Sequence, residues 1–365
     1  MKFLTTAAII LAAGSLVVRA EGDITFGGNA RAFAMGGAGL AVVDELGRTS
    51  SANPASLALQ SRSFRMGIPS LGLRASGIPL RQAWDHITGN PDLNDAVGLA
   101  RDFGQNTSQF GVSLGALVSY SHLTLGAEGV ATAYIIPNEA LRDWARNANG
   151  NLAALTGNER ADLLGAAVYS LPSFAVAERV SPAMSPTRID MGAKIKFARA
   201  LYTHYLASAD NIRNNTQGTP APELAGGTSL SKEGLGVDVG FLMHPRDRQG
   251  LSAALVVANL VGPEFTFDGT DSAGAATRYT LQPRSAAVGL AYASGRVLAA
   301  LDGVDLTRAY GPAQARMGVE YTTRAISFRA GYASSCGLTA GIGWNYLQLA
   351  VGNKTPLEII QTLRF

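Results

Sequence analysis

One cysteine, Cys336, stands in 365 residues, so no internal disulfide can staple the chain. Charge is scarce too: charged residues make up 16%, against roughly 25% in an ordinary soluble domain. Nor is one sign in excess. Setting aside Lys2 and Arg19, which fall in the leader discussed below, leaves 28 of the 30 basic residues against 27 acidic ones, a net charge near +1. That balance gives no footprint for a nucleic-acid partner. The four histidines, His86, His122, His204 and His244, are isolated and lack metal-ligand spacing. His122 and His244 fall at tight turns, where solvent would satisfy them. Gly37-Ala38-Gly39 has Val42 where a dinucleotide loop needs its third glycine, which excludes a Rossmann unit. No cofactor, metal or nucleic acid is therefore expected.

Long apolar runs are missing as well. Beyond the first twenty residues no stretch of 18 or more mainly apolar residues occurs, so no spanning helix is expected. The one short apolar run is Ala7 to Val18, preceded by Lys2 and followed by Val18-Arg19-Ala20. A positive start, a short apolar core and small residues at a cut describe a secretory leader, expected over residues 1–20.

What the chain has instead is alternation. In QFGVSLGALVSY, Phe110, Val112, Leu114, Ala116, Val118 and Tyr120 alternate with small or polar residues. RIDMGAKIKF, LGVDVGF, AQARMGVEY and ISFRAGY repeat the pattern. Period two marks strands with one apolar face and one polar or tiny face. The motif Gly111-Val112-Ser113-Leu114-Gly115 lies inside such a run, whereas a nucleophile elbow needs a strand-to-helix turn. Ser113 is thus not expected to be catalytic, and the chain is not expected to be an enzyme.

A soluble sandwich buries the apolar faces of such strands, while a membrane barrel turns them to lipid. Segment length favours the barrel, because many runs reach about 9–11 residues, enough to cross a bilayer at a tilt. Aromatics recur near their ends at Tyr120, Tyr134, Tyr292, Tyr321, Tyr332, Trp344, Tyr346 and Phe365, as in interfacial girdles. Connections alternate too over the first eight, after which both sets are short. Segments 76–108, 136–167, 204–232 and 262–276 are long, whereas Ser121-His122, 181–186, HPRDRQ and ASGR are short. Long outer loops and tight periplasmic turns alternate in this way.

The expected fold is all-β: a closed antiparallel transmembrane β-barrel of about fourteen strands, twelve being the other count the pattern allows. The strands fall near 62–75, 109–120, 122–135, 168–180, 187–203, 233–244, 250–261, 277–292, 296–306, 313–322, 324–333, 337–345, 346–353 and 357–365. Two helical insertions are expected in long loops, DLNDAVGLARDF and NEALRDWARNANGNLAAL, the second bringing Leu141, Trp144 and Ala145 together. The chain closes on EIIQTLRF, with Leu357, Ile359, Leu363 and Phe365 in one alternating row that Gln361 interrupts. Outer-membrane barrels end on an aromatic strand read by the barrel assembly machinery, so Leu363 and Phe365 are the expected assembly signal. Asp302, Arg316, Glu320 and Arg329 are candidates for a luminal charge network.

Ahead of the first strand stand Ala34-Met35-Gly36-Gly37-Ala38, then Asp44-Glu45, then Asn53-Pro54-Ala55. This order resembles the N-terminal signature of the fatty-acid-transporter-like outer-membrane superfamily, which includes FadL-type hydrophobe transporters, PorV-type secretion proteins and TraF-type conjugal-transfer proteins. VVANLVGPEF, MGVEY, FRAGY and GLTAGIGW add to the likeness, which in overall style is nearest the TraF-type branch. The resemblance implies a luminal plug over residues 21–61, with Met35, Gly36, Gly37, Asn53, Pro54 and Ala55 as its motif, and a barrel over 62–365. It implies a location in the bacterial outer membrane, in contact with its lipid. Two functions follow from it: binding or passing small hydrophobic molecules, or scaffolding envelope proteins of conjugal transfer or secretion. A secreted soluble β-protein is the third reading.

Overall fold

Among the described residues, sixteen strands form where the sequence alternates. They are β1 (Phe64–Ser76), β2 (Ser108–Tyr120), β3 (Leu123–Pro137), β4 (Arg160–Arg179), β5 (Thr187–Ser208), β6 (Thr228–Pro245), β7 (Gly250–Val261) and β8 (Phe265–Thr270). There follow β9 (Ala276–Leu281), β10 (Ser285–Ser294), β11 (Val297–Val304), β12 (Gln314–Thr322), β13 (Ile326–Ala333), β14 (Gly337–Trp344), β15 (Leu347–Gly352) and β16 (Leu357–Thr362). The computed structural model describes residues 30–43, 53–59, 64–76, 101, 104–105, 108–147, 151–208, 228–262, 264–270, 276–281, 283–309, 312–334, 337–344, 347–352 and 357–362. The leader, Asp44-Glu45, His86, Leu363, Phe365 and, but for Arg101, the helix expected at 92–103 lie outside the described residues.

Each ring strand pairs antiparallel with its sequence neighbours, except that β7 pairs β10 directly. The ring closes where β1 pairs β16 on one side and β2 on the other. The strand expected at 277–292 is in fact two. Among the described residues its first part, β9, pairs only with β8, and the two form a two-stranded sheet separate from the ring. Pro283 lies in the break, and a proline has no N–H to give a ladder. Expected boundaries also fall short on one side of the ring. β4, β5 and β6 run for 20, 22 and 18 residues, while β15 and β16 have 6 each. At about 3.3 Å rise per residue, the three long strands overreach the roughly 25 Å apolar band of a membrane barrel.

Period two decides the faces. On β12, Met317, Val319 and Tyr321 are 48%, 51% and 46% exposed, while Arg316 and Glu320 between them are 4% and 6%. On β13 Phe328 is exposed and Arg329 is buried. On these two strands the large apolar side chains thus face outward and the charged ones inward. Exposed large apolar side chains recur on the described outward faces from β2 to β15, whereas a soluble monomer rarely shows a contiguous apolar patch beyond a few hundred Å².

The helix α1 (Ala30–Ala34) precedes the ring, and α2 (Glu139–Asn147) sits between β3 and β4. The Asn138 side chain caps α2, accepting the Leu141 N–H at 2.9 Å in the manner of an N-cap. Leu141, Trp144 and Ala145 bury together against Leu155 and Ala161.

Candidate functional site inside the ring

The interior holds three layers, and glycines of the wall make the first possible. The segment 30–43 ends α1 in a turn where Gly37 N–H reaches Ala32 O at 2.7 Å and Gly36 N–H reaches Phe33 O at 2.9 Å. Gly36 and Gly37 hold φ of 70° and 83°, the left-handed region that closes a helix at low cost only for glycine. The turn then lies directly on the wall. A Cβ on Gly318 or Gly331 would run into the Met35 backbone. Across the ring, Pro54 lies over Gly192 and Gly240.

Polar side chains of the wall hold this segment. Glu320 accepts two hydrogen bonds from Arg31, Nε to Oε2 at 2.8 Å and Nη2 to Oε1 at 2.6 Å, and a third from Arg329 Nε. Asp302 Oδ2 accepts the N–H groups of Gly39 and Leu40 at 2.7 and 3.0 Å. Arg316 Nη1 donates to Gly37 O at 3.4 Å. Thr339 Oγ1 accepts from Gly36 N–H and donates to Ala34 O. Asn53 Nδ2 donates to Leu40 O at 3.0 Å and Phe241 O at 3.3 Å, while its Oδ1 accepts the Ala55 N–H. Ser252 Oγ donates to Ala41 O at 2.7 Å.

The four luminal charges named from sequence divide their contacts between one another and the segment. Glu320 and Arg329 meet each other, while Asp302 and Arg316, opposite one another on β11 and β12, each turn to the segment's backbone. Met35, Gly36, Gly37, Asn53, Pro54 and Ala55 all lie against the inner wall or against residues that do. Ser113 sits in the middle of β2, paired with Gly72 and Val130.

The second layer is a buried polar band that sequence reading did not single out. Lys194 of β5 pairs with Glu128 of β3, and Lys196 pairs with Asp238 of β6 at 2.8 Å. Asp238 Oδ1 also accepts the Asn259 N–H at 2.8 Å, where the β6–β7 register shifts. Charged residues on the small-residue face of an alternating strand were the available signal.

The third layer, toward the long connections, is apolar. Leu164, Ala166 and Val168 of β4 and Ala198, Ala200 and Tyr202 of β5 bury against Phe265, Phe267 and Leu281 of the β8–β9 hairpin. Tyr202 and Phe267 stack at 5.3 Å between centroids and 17° between planes. Lys232 Nζ lies 5.1 Å over the Phe267 ring, in cation–π range, and donates to Thr266 O. Truncating Phe267 to alanine removes the hairpin's central contact and is expected to cost about 3–5 kcal/mol locally. Hydrogen exchange in β8 and β9 will then accelerate while the ring strands keep their protection. Unchanged exchange in the hairpin would refute this.

At the short-turn end, His244 corrects the sequence expectation. It is not solvated but fully buried, with Nε2 3.0 Å from Asp190 Oδ2 and Nδ1 2.7 Å from Pro245 O. Asp190 also accepts from Arg179 Nε at 3.1 Å. An inward-facing position on a strand, two residues above the turn, buries what a turn would expose.

A family model described as "F plasmid transfer operon, TraF, protein" matches residues 139–303. Among solved structures, a TodX monoaromatic hydrocarbon channel with a deletion is similar over 93% of this chain and 97% of its own, at 14% identity and a TM-score of 0.52. The P. putida toluene transporter TodX is similar over 94% of this chain and 96% of its own, at 14% identity and a TM-score of 0.50. The chain shares the fold of these channels. No curated protein matches it by sequence. The family model points to transfer proteins and the solved structures to hydrocarbon channels, so the two findings do not separate the branches.

Proposed function

We propose that the chain is an outer-membrane β-barrel whose N-terminal segment plugs the lumen and whose apolar upper layer takes up small hydrophobic molecules. The outward apolar belt supports the membrane setting, since lipid satisfies a surface that water penalises. The observation that carries the ligand class is the inner wall at Leu164, Val168 and Tyr202, faced by Phe265, Phe267 and Leu281. An aqueous pore gains nothing from such a lining, whereas a hydrophobic ligand is held by burial there. The β8–β9 hairpin makes no ladder with the ring, so it can yield to a ligand without breaking a wall strand. The shared fold with a toluene transporter supports the same reading.

Binding of toluene and of a medium-chain fatty acid to the detergent-purified protein tests it. Saturable binding that Tyr202→Ala weakens is expected. A protein that binds neither probe, together with a deletion strain that takes up both at the parental rate, would overturn the proposal. The match to the transfer-operon model favours a second reading, a scaffold for envelope machinery. That reading requires a co-purifying envelope protein and no bound hydrophobe.

A further inference from the structure

Net charge near zero hides an uneven distribution. The short turns carry Arg179 and Arg188 beside the β4–β5 turn, Arg246 and Arg248 in the β6–β7 turn, Arg296 after β10 and Arg324 after β12. Against these, the described residues of the same rim offer Glu178, Asp190 and Asp247. Asp190 is fully buried and engaged by Arg179 and His244, and Asp247 Oδ1 accepts the Gln249 N–H of its own turn. Arg188 is acted on first by desolvation and then by the charges of Arg179, Arg246 and Arg248, with Asp190 opposing them.

The turns are also joined. Arg246 N–H donates to Pro186 O at 3.0 Å, tying the β6–β7 turn to the β4–β5 turn. Gly295 N–H donates to Gln249 Oε1 at 2.8 Å, tying on the β10–β11 turn. Thr322 N–H donates to Arg296 O at 2.9 Å. The guanidinium groups thus sit on a stitched rim rather than on separate loops, and little order remains to be imposed on binding.

Strand parity says which way the cluster looks. Arg188 is two residues from the inward-facing Asp190, and Arg179 is two from the buried Ala177. Ile189 and Met191 between and beyond them face outward and are exposed. Arg179 and Arg188 therefore face the lumen side of the rim, and the turn carrying Arg246 and Arg248 is tied beside them. Beside it projects the tip Pro182-Ala183-Met184, with Met184 88% exposed. Guanidinium groups at one mouth, next to an apolar tip, match a protein segment carrying spaced carboxylates.

We propose that this rim docks an acidic segment of a protein in the compartment faced by the short turns. The proposal shares only the barrel's orientation with the hydrophobe-binding function, and its test reads a different ligand. The protein in nanodiscs of zwitterionic lipid is titrated against a fluorescein-labelled glutamate-rich peptide, followed by anisotropy at low and high salt. Salt-sensitive binding is expected, lowered about tenfold or more by Arg188→Gln/Arg246→Gln/Arg248→Gln and less by the matching lysine variant. Arg246→Gln alone, with a smaller loss, serves if the triple variant does not fold. Equal binding by parent and variants would overturn the proposal. So would a rim that ignores the peptide but whose variants lose binding to vesicles of anionic lipid, since that assigns the arginines to headgroups.

Discussion

Replacing Glu320 by alanine will loosen the N-terminal segment from the wall. The substitution leaves Arg31 and Arg329 facing each other without their carboxylate, and the Glu320 and Arg329 side chains are 7% and 1% exposed. Removing one partner of a buried ion pair typically costs about 3–5 kcal/mol, because a desolvated charge loses the carboxylate that offset its burial. Urea unfolding in detergent measures the loss, and limited proteolysis reports whether the segment has come free. Glu320→Gln, which keeps acceptor oxygen but not charge, is expected to lose less. Equal stability of Glu320→Ala and the parent would mean that the Arg31–Glu320–Arg329 cluster does not hold the segment.

Gly331→Leu is expected to act by shape alone and at least as strongly. The new Cβ would meet backbone of Met35 and Gly36, and neither can move aside as a flexible side chain would. Gly36 already holds φ of 70° and donates to Thr339 Oγ1, so local adjustment breaks that bond. Overpacking a well-filled site costs about 1–3 kcal/mol where side chains can shift, and here only the segment as a whole can. Its displacement is expected to appear as raised single-channel conductance in planar bilayers, with the ring strands retained. A parental conductance and proteolysis pattern would show that the segment does not occlude the lumen. Gly303→Leu is a suitable control, because a Cβ there meets only Leu306 and Val288 side chains at 3.6 Å.

Much of the wall was legible in the sequence. Expected strands at 109–120, 250–261, 313–322 and 337–345 lie within a residue or so of β2, β7, β12 and β14, because each alternating run is bounded by its own turn residues. Faces were legible for the same reason: side-chain direction flips at every residue, so Phe328 and Arg329 had to face opposite ways. The β8–β9 hairpin was not legible. FTFDGT and ATRYTL alternate like any wall strand, and a period of two does not say which partner a strand takes. Nor does it limit height, which is why β4 begins eight residues before the sequence places it.

The candidate site was legible as a set of residues and not as an arrangement. Asp302, Arg316, Glu320 and Arg329 were assignable to the lumen by parity, yet parity is silent on what lies across it. Arg31 meets Glu320 over 289 positions of chain, and Ser252 meets Ala41 over 211. His244 was misread as solvated because its depth depends on Asp190, contributed by a neighbouring strand. The rim arginines are likewise scattered from position 179 to position 324, and only the stitched turns bring them to one mouth.

By itself, then, the sequence determined that alternating strands would bury charge and glycine on one side and show apolar side chains on the other. Such patterning is local, decided by the pleat within a few residues. Closure of the ring decided the rest: which carboxylate meets which guanidinium, where the glycines admit a backbone, and which strands stand aside as a hairpin. Those contacts join residues hundreds of positions apart, and their energies exist only once the wall has brought both partners out of water.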